Sequence, residues 1–590
     1  PPDTEFIEYL QRSRRPVRES GVGSREWVRW QRMAARFLRR ACARLAAAAA
    51  LVGGGAAVVT SDDPATTLKV CAGVPVRLAR DSLTVVTIVA DYRYSLWGLE
   101  EPSAEYARAK HEVHTRSAIR LQELCFRNGG IYIKLGQHMA QLEYVLPQEY
   151  VQTMRASMLK RCPVSSYDQV CKVFSKELGK LPEEVFMEFD RAPLASASLA
   201  QVHAARTRDG DKVAVKVQHP HLTDTAVVDL TTVELLVNFL HWCFPSFDYR
   251  WLVDEIRESA PKELDFLYEA KNSEKCLDNF RRLSPHIADY IYAPKIYWTL
   301  STSKLLIMEF MDCAEITDVN AIRGLGIKPI DVSKLVSQAF AEMIFKHGFV
   351  HCDPHAANMM VRALPYGKKS IFGTRKPQLV LLDHGLYKEL DFSTRTSYAA
   401  LWKGLIFADV DAIKENCIKL GAGDDLYALF AGILTMRPWN RVIDPAVDHL
   451  LLEGTDSDRS EIQMYASQYF SQISELLRRL PRVILLMLKT NDCLRAVNHS
   501  LLQGSSLETF LIMGRVSSEV VAKTKMLQRR SFLSRLSIWL EEMIIEARLL
   551  SMQIALWLIQ LKNAVTGESM MDPKYHHFVS FPLEEERYQQ

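Results

Sequence analysis

Hydrophobic positions change their period along this chain of 590 residues, and each change marks a different kind of element. From about residue 103 to 180, apolar residues recur at three- and four-residue spacing, which predicts helices broken at Asn128-Gly129-Gly130 and Cys162-Pro163. At Pro193 the period falls to two. Residues 199–206 and 212–217 alternate on either side of Asp209-Gly210, the pattern of a β-hairpin. Apolar runs at Leu305-Leu306-Ile307, Met359-Met360-Val361 and 378–382 predict further strands. After Leu386 some two hundred residues return to helical spacing, broken at 421–425, Arg437-Pro438, 454–458 and 504–506. The whole reads as α+β, with strands confined to the middle and a large helical lobe behind them.

The first sixty residues follow another pattern. Between Arg12 and Arg44 lie eleven arginines, no lysine, and only Glu19 and Glu26 as acids, with Trp27, Trp30 and Phe37 interleaved. Residues 1–40 therefore fit a mitochondrial or plastid presequence, and equally an arm that binds an anionic lipid surface. The uncharged run 45–59 has fifteen residues, fewer than the roughly 20 that cross a bilayer. Residues 41–61 make a candidate transmembrane helix if Arg44 snorkels to the headgroups; a buried Ala-rich packing helix is the alternative. If it spans, the arginines place everything after Ser61 on the opposite side. Residues 62–102, with the short apolar stretch 83–90, read as linker and packing helices.

Composition narrows the partners. At 48% hydrophobic and 24% charged residues the chain is folded, with several cores. Its 73 basic and 70 acidic side chains leave a net charge of +3, no surplus field for a polyanion, so nucleic acid is not an expected partner. Eleven cysteines without one Cys-x-x-Cys pair argue against a zinc ribbon or a thioredoxin-type site.

Three elements carry candidate chemistry. Lys216 ends the apolar arm Val213-Ala214-Val215-Lys216. Asp353 and Asn358 stand in His351-Cys352-Asp353-Pro354-His355-Ala356-Ala357-Asn358, and the strand 378–382 runs into Asp383-His384-Gly385. A strand lysine, Asp-x4-Asn and Asp-x-Gly, in that order, form the skeleton of a protein-kinase-like phosphotransfer site. There Lys216 sets a cation against the α- and β-phosphates, and a helical carboxylate, for which Glu269 is the choice, steadies its flexible stem. Asp383 and Asn358 offer hard oxygens suited to Mg²⁺. Asp353 stands where a carboxylate orients or accepts the proton of the attacking hydroxyl or water. The small residues Ala195, Ser196, Ala197 and Ser198 lie where a loop would cover the phosphates. Glu309 and Met311 lie where backbone groups would grip adenine, or simply end a buried strand. A soft-metal cluster of His351, Cys352 and His355 explains its segment less well than Asp-x4-Asn does.

Further motifs make the picture specific. With Lys134-Leu135-Gly136-Gln137, the alanine-rich loop through Ala200-Gln201-Val202-His203, Glu263-Leu264-Asp265-Phe266, His351-x-Asp353-Pro354-His355 and Asp383-His384-Gly385, the chain resembles the UbiB/aarF-domain atypical kinases over roughly residues 105–525. The resemblance implies a bilobal protein-kinase-like fold: a helical extension (103–192), a small β-rich N-lobe (193–311), a C-lobe with the catalytic loop (312–430) and a helical region (431–590), behind an N-terminal membrane segment. It implies that Glu263 and Asp265 engage Lys134 and Gln137, so that the extension regulates the site and leaves little room for a polypeptide acceptor. Alanine in place of glycine in the loop adds Cβ atoms beside the phosphates, and the resemblance implies ATP hydrolysis more than phosphotransfer. Implied cofactors are ATP or ADP with Mg²⁺. The implied partner is a membrane lipid or isoprenoid quinone precursor, in lipid or coenzyme Q homeostasis. The implied place is the mitochondrial inner membrane, facing the intermembrane space. Two alternatives stay open. One is a catalytically silent nucleotide-binding subunit of a membrane protein complex, docked through the arginine-rich arm and the apolar helix 534–565. The other is a small-molecule kinase of the aminoglycoside or choline type. That last helix suits packing on the lobe, a membrane interface or a protein partner.

Overall fold

The computed structural model describes residues 64–100, 103–140, 146–158, 162–220, 222–244, 250–365, 374–437, 439–443, 470–502, 507–529 and 531–566. The arginine-rich segment and the candidate transmembrane stretch 41–61 lie outside the described residues. Among the described residues, no helix is long and apolar enough to cross a membrane. The chain divides into two compact units, one reaching to Gly136 with 221–245 added, the other made of the rest.

The first unit is helical. Helices Pro64–Ser95, Ala104–Asn128 and Leu222–Cys243 carry it, and Val85, Val89, Phe239 and Cys243 form an apolar core. Its polar contacts are directed inward. Asp81 is fully buried and accepts from Asn128 Nδ2 and Tyr132 Oη, both at 2.7 Å, while burial lifts its carboxyl to about 6. Arg77 pairs with Asp229 at 2.6 Å, and Asp91 receives both Arg116 and Arg120.

The second unit mixes strands and helices. Its first sheet has the order β1 (Glu188–Phe189), β3 (Ala200–Arg206), β4 (Lys212–Gln218), β6 (Leu305–Glu309), with β2 (Ala195–Ser196) also on β3. The expected hairpin is β3 and β4, closed by Gly210 at φ 92°. Period two decides what each face does. Val213, Val215 and Val217 point to one face and pack with Leu305, Ile307 and Phe174 from helix Tyr167–Leu178. Lys216 belongs to the opposite face, where Ala200 and Leu306 meet Phe266 and Ala270 of helix Phe266–Leu283.

A second sheet joins β5 (Ile291–Tyr292), β10 (Pro377–Leu381), β9 (Met359–Ala363) and β7 (Ala314–Glu315), and a third pairs β8 (Phe349–His351) with β11 (Tyr387–Glu389). Their core draws on Phe280, Val336, Phe340, Val361, Leu379 and Leu494. Helices follow, as the spacing after Leu386 predicts. Helix Arg482–Leu502 buries Leu486, Met487, Leu488, Lys489, Thr490 and Asn491 in succession, so this stretch of it is enclosed on every side.

The terminal helix Phe532–Thr566 is amphipathic in the reverse sense. Ile538, Ile545 and Leu549 face the body, and so do two of its three acids: Glu541 pairs with Lys403 and Lys525, and Glu546 with Arg515. Trp539, Leu540, Ile544, Leu550, Ile554 and Trp557 are exposed.

Candidate functional site

Two periodicities bring the first pair together. Lys216 sits opposite Leu306 in the β4–β6 ladder, and Glu269 lies on the turn of its helix that carries buried Phe266, Ala270 and Ser273. Lys216 Nζ donates to both Glu269 oxygens, at 2.8 and 2.9 Å, and reaches Asp383 Oδ2 at 3.3 Å. The three side chains are 14%, 5% and 39% exposed. Burial alone would depress the ammonium, but the carboxylates of Asp383 and Glu269 outweigh it and hold its pKa above the ordinary lysine value. Burial raises the Glu269 carboxyl above the usual range; Lys216 opposes that rise and Asp383 adds to it. Both carboxylates thus meet the same ammonium.

The backbone brings the second set together. Asn358 precedes β9 and Asp383 follows β10; the strands pair antiparallel, Met359 opposite Leu381, so both residues leave the same end of one hairpin. Leu382 N donates to Asn358 O at 2.9 Å, and Cys352 N to Leu386 O at 3.0 Å, clamping residues 352–358 against 382–386. Asn358 Nδ2 donates to Asp353 O at 3.0 Å, which fixes the amide and turns Oδ1 into the available oxygen. Asp383 Oδ1 accepts from Gly385 N at 2.9 Å. These oxygens suit a hard cation that keeps water and phosphate oxygens as its other ligands, as Mg²⁺ does. Such a site needs no cage of protein ligands. Among the described residues no group of three or more His, Cys, Asp or Glu forms one, the triplet His351, Cys352 and His355 included.

His384 stands where kinases carry phenylalanine, and it packs as that ring would. It stacks on Tyr387 at 5.7 Å between centroids, and Tyr387 stacks on His351 at 5.1 Å. Tyr387 Oη donates to His384 Nδ1 at 2.9 Å, and Nε2 donates to Leu381 O at 3.2 Å, which defines a neutral tautomer. Burial drags His351 down to about 4 and His384 to about 3.

The small-residue run is more regular than a covering loop requires. Ala195 pairs with Val202 and Ser196 with Gln201, Ala197 N closes a turn on Ala200 O at 2.8 Å, and Ser196 Oγ donates to Pro163 O. Ser198 Oγ donates to Gln137 Oε1 at 3.2 Å. Lys134, half-buried, lies one turn before Gln137 on helix Ile131–Met139, within the first unit. Glu263 is buried, and a Cβ placed on Gly385 would lie 4.0 Å from its Cγ. Asp265 serves as an N-cap, accepting from Leu267 N at 3.1 Å. Glu309 ends β6 and takes Tyr292 Oη and Lys295 N on its carboxylate; Met311 follows it, half-buried.

One participant escapes the motif reading. Lys489 Nζ donates to Asp353 Oδ1 at 2.9 Å. In the sequence Lys489 stands in Leu488-Lys489-Thr490-Asn491-Asp492, one of the stretches on which the family resemblance rests, but no role in the site follows from it.

Known proteins resemble this chain over most of its length. The ABC1 atypical kinase-like domain matches residues 157–417. An ABC1 protein of Arabidopsis thaliana is 68% identical over 503 residues, 85% of this chain and 94% of that one. AarF domain-containing protein kinase 1 of Mus musculus is 39% identical over 83% of this chain and 92% of its own length. AarF domain-containing kinase 1 of Drosophila melanogaster is 39% identical over 75% and 82%.

Proposed function

Because the chain belongs to the ABC1/AarF family of atypical kinase-like proteins, we propose that it binds ATP or ADP with Mg²⁺ between the β3–β4 hairpin and the Asp353–Asn358 segment, and turns ATP over at a membrane. The observation that carries the reading is Lys216, held by Glu269 and within reach of Asp383. Its ammonium would meet the phosphates, Asp383 and Asn358 would hold the metal, and Asp353 would orient the attacking oxygen. The bound metal supplies neutralisation of the phosphate charge as it shifts. Ala195, Ser196, Ala197 and Ser198 would lie over the phosphates, with Glu309 and Met311 toward the base.

The lipid-directed part of the reading rests on the terminal helix. Glu541 and Glu546 are paired with the body, and Trp539, Ile544, Ile554 and Trp557 face outward, the arrangement of a helix lying in a bilayer interface. We place the protein at a mitochondrial inner membrane, acting on lipid or isoprenoid-quinone homeostasis.

The test is ATP consumption by the full chain, alone and with vesicles carrying cardiolipin and quinone precursors, for wild type and Asp383→Asn. Turnover stimulated by vesicles and reduced at least about tenfold in the variant is expected, one phosphate-metal contact accounting for more than about 1.4 kcal/mol. Nucleotide and Mg²⁺ bound with no turnover would shift the reading to a silent nucleotide-binding subunit; no binding at all would overturn it.

Loop stiffness makes a second prediction. Ala195→Gly or Ala197→Gly removes a Cβ and frees the backbone beside the phosphates, so nucleotide affinity or ATPase rate is expected to change several-fold. Both unchanged in both variants would refute the loop's place in the site.

A further inference from the structure

The segment that carries Asp353 supplies no strong cation of its own. The residue after His351 is Cys352, fully buried, with its Sγ donating to Val350 O. His355 Nε2 stands 3.6 Å from Asp353 Oδ2, too long for a hydrogen bond. The cation arrives from elsewhere. Lys489, 136 residues further on, donates to Oδ1 at 2.9 Å, and the two side chains are 7% and 13% exposed. A lysine enclosed in the buried half of a helix loses its hydration and is tolerated only where a carboxylate answers it. His351, Asp383, Asp492, Cys493 and Arg155 also act on this neighbourhood.

We propose that Lys489 is a positioning residue for Asp353, holding its carboxylate in place and aimed, so that helix Arg482–Leu502 sets the geometry of the group that faces the attacking oxygen. The proposal rests on the reading of Asp353 as the group that faces the attacking oxygen. With Oδ1 held by the ammonium, the carboxylate keeps one orientation toward the acceptor. Movement of that helix would release the carboxylate and change the turnover without touching the nucleotide.

The test uses the full chain as wild type, Lys489→Met, Lys489→Arg, Asp353→Asn and the Lys489→Met/Asp353→Asn double variant. Urea midpoints for the four corners of the cycle are read first; the double variant should lose much less than the sum of the singles. Affinity for Mg·ADP and the rate of ATP turnover are read next. Lys489→Met should lower kcat at least tenfold with ADP affinity within twofold of wild type, and Lys489→Arg should restore part of kcat. Additive midpoints, or an unchanged kcat, overturn the proposal. So does a parallel loss of midpoint, affinity and kcat that arginine leaves unrepaired, since that marks a purely structural ion pair. A wild type that binds no nucleotide ends the nucleotide reading instead. The urea cycle still reports whether the two groups are coupled, and coupling in an inert protein reduces Lys489 to a structural partner.

Discussion

Lys216→Met is expected to lower stability by about 3 kcal/mol and to abolish nucleotide binding, because it takes the ammonium from buried Glu269 and from Asp383. Glu269 is 4% exposed and cannot recover its hydration. Its response is to take up a proton, which its already raised pKa favours. The loss should therefore be larger at pH 8 than at pH 6, and Lys216→Met/Glu269→Gln should regain much of it. Urea denaturation of both variants at the two pH values checks this. A loss under about 0.5 kcal/mol, the range of an ordinary surface change, would show that the pair is not the strut described here.

Acidification is expected to unfold the second unit between about pH 6.5 and 4, and His351 and His384 are the reason. Both are buried and neutral, with folded pKa values near 4 and 3. The unfolded chain takes up protons there near pH 6.5, so the stability these rings contribute is complete above that value and lost as pH falls toward the folded values. The pair should account for about 4 kcal/mol by pH 5, roughly 2 kcal/mol for each imidazole. His384→Phe keeps the stack on Tyr387 but removes one titrating ring, so its melting temperature should fall less steeply with pH. A pH dependence identical to wild type would contradict the neutral, buried assignment.

Local pattern made much of this site legible. The alternation in 199–217 predicts β3 and β4 and places Lys216 away from the valines of its own strand. Asn358 and Asp383 flank apolar strands that pair as a hairpin, so their convergence follows from two short motifs. Other features depend on tertiary packing. No motif joins Lys489 to Asp353, because the contact is set by how the buried stretch 486–491 of a distant helix packs. Asp265 caps its helix, a role that any Asp before an apolar run can fill and that its motif does not announce. The run at Ala195 looked like a loop, since short small residues carry little strand signal until a partner such as β3 supplies the ladder.

The reversed terminal helix matters to anyone who shortens this protein to make it easier to handle. Cutting ahead of residue 532 removes the greasiest exterior of the described chain, yet it also takes Glu541 from Lys403 and Lys525, and Arg548 from the ring of Phe407, leaving two amines and an aromatic uncovered. Trading outward-facing Trp539, Ile544 and Trp557 for polar residues, with the inner acids kept, is the change that would make the molecule more soluble while leaving its frame whole.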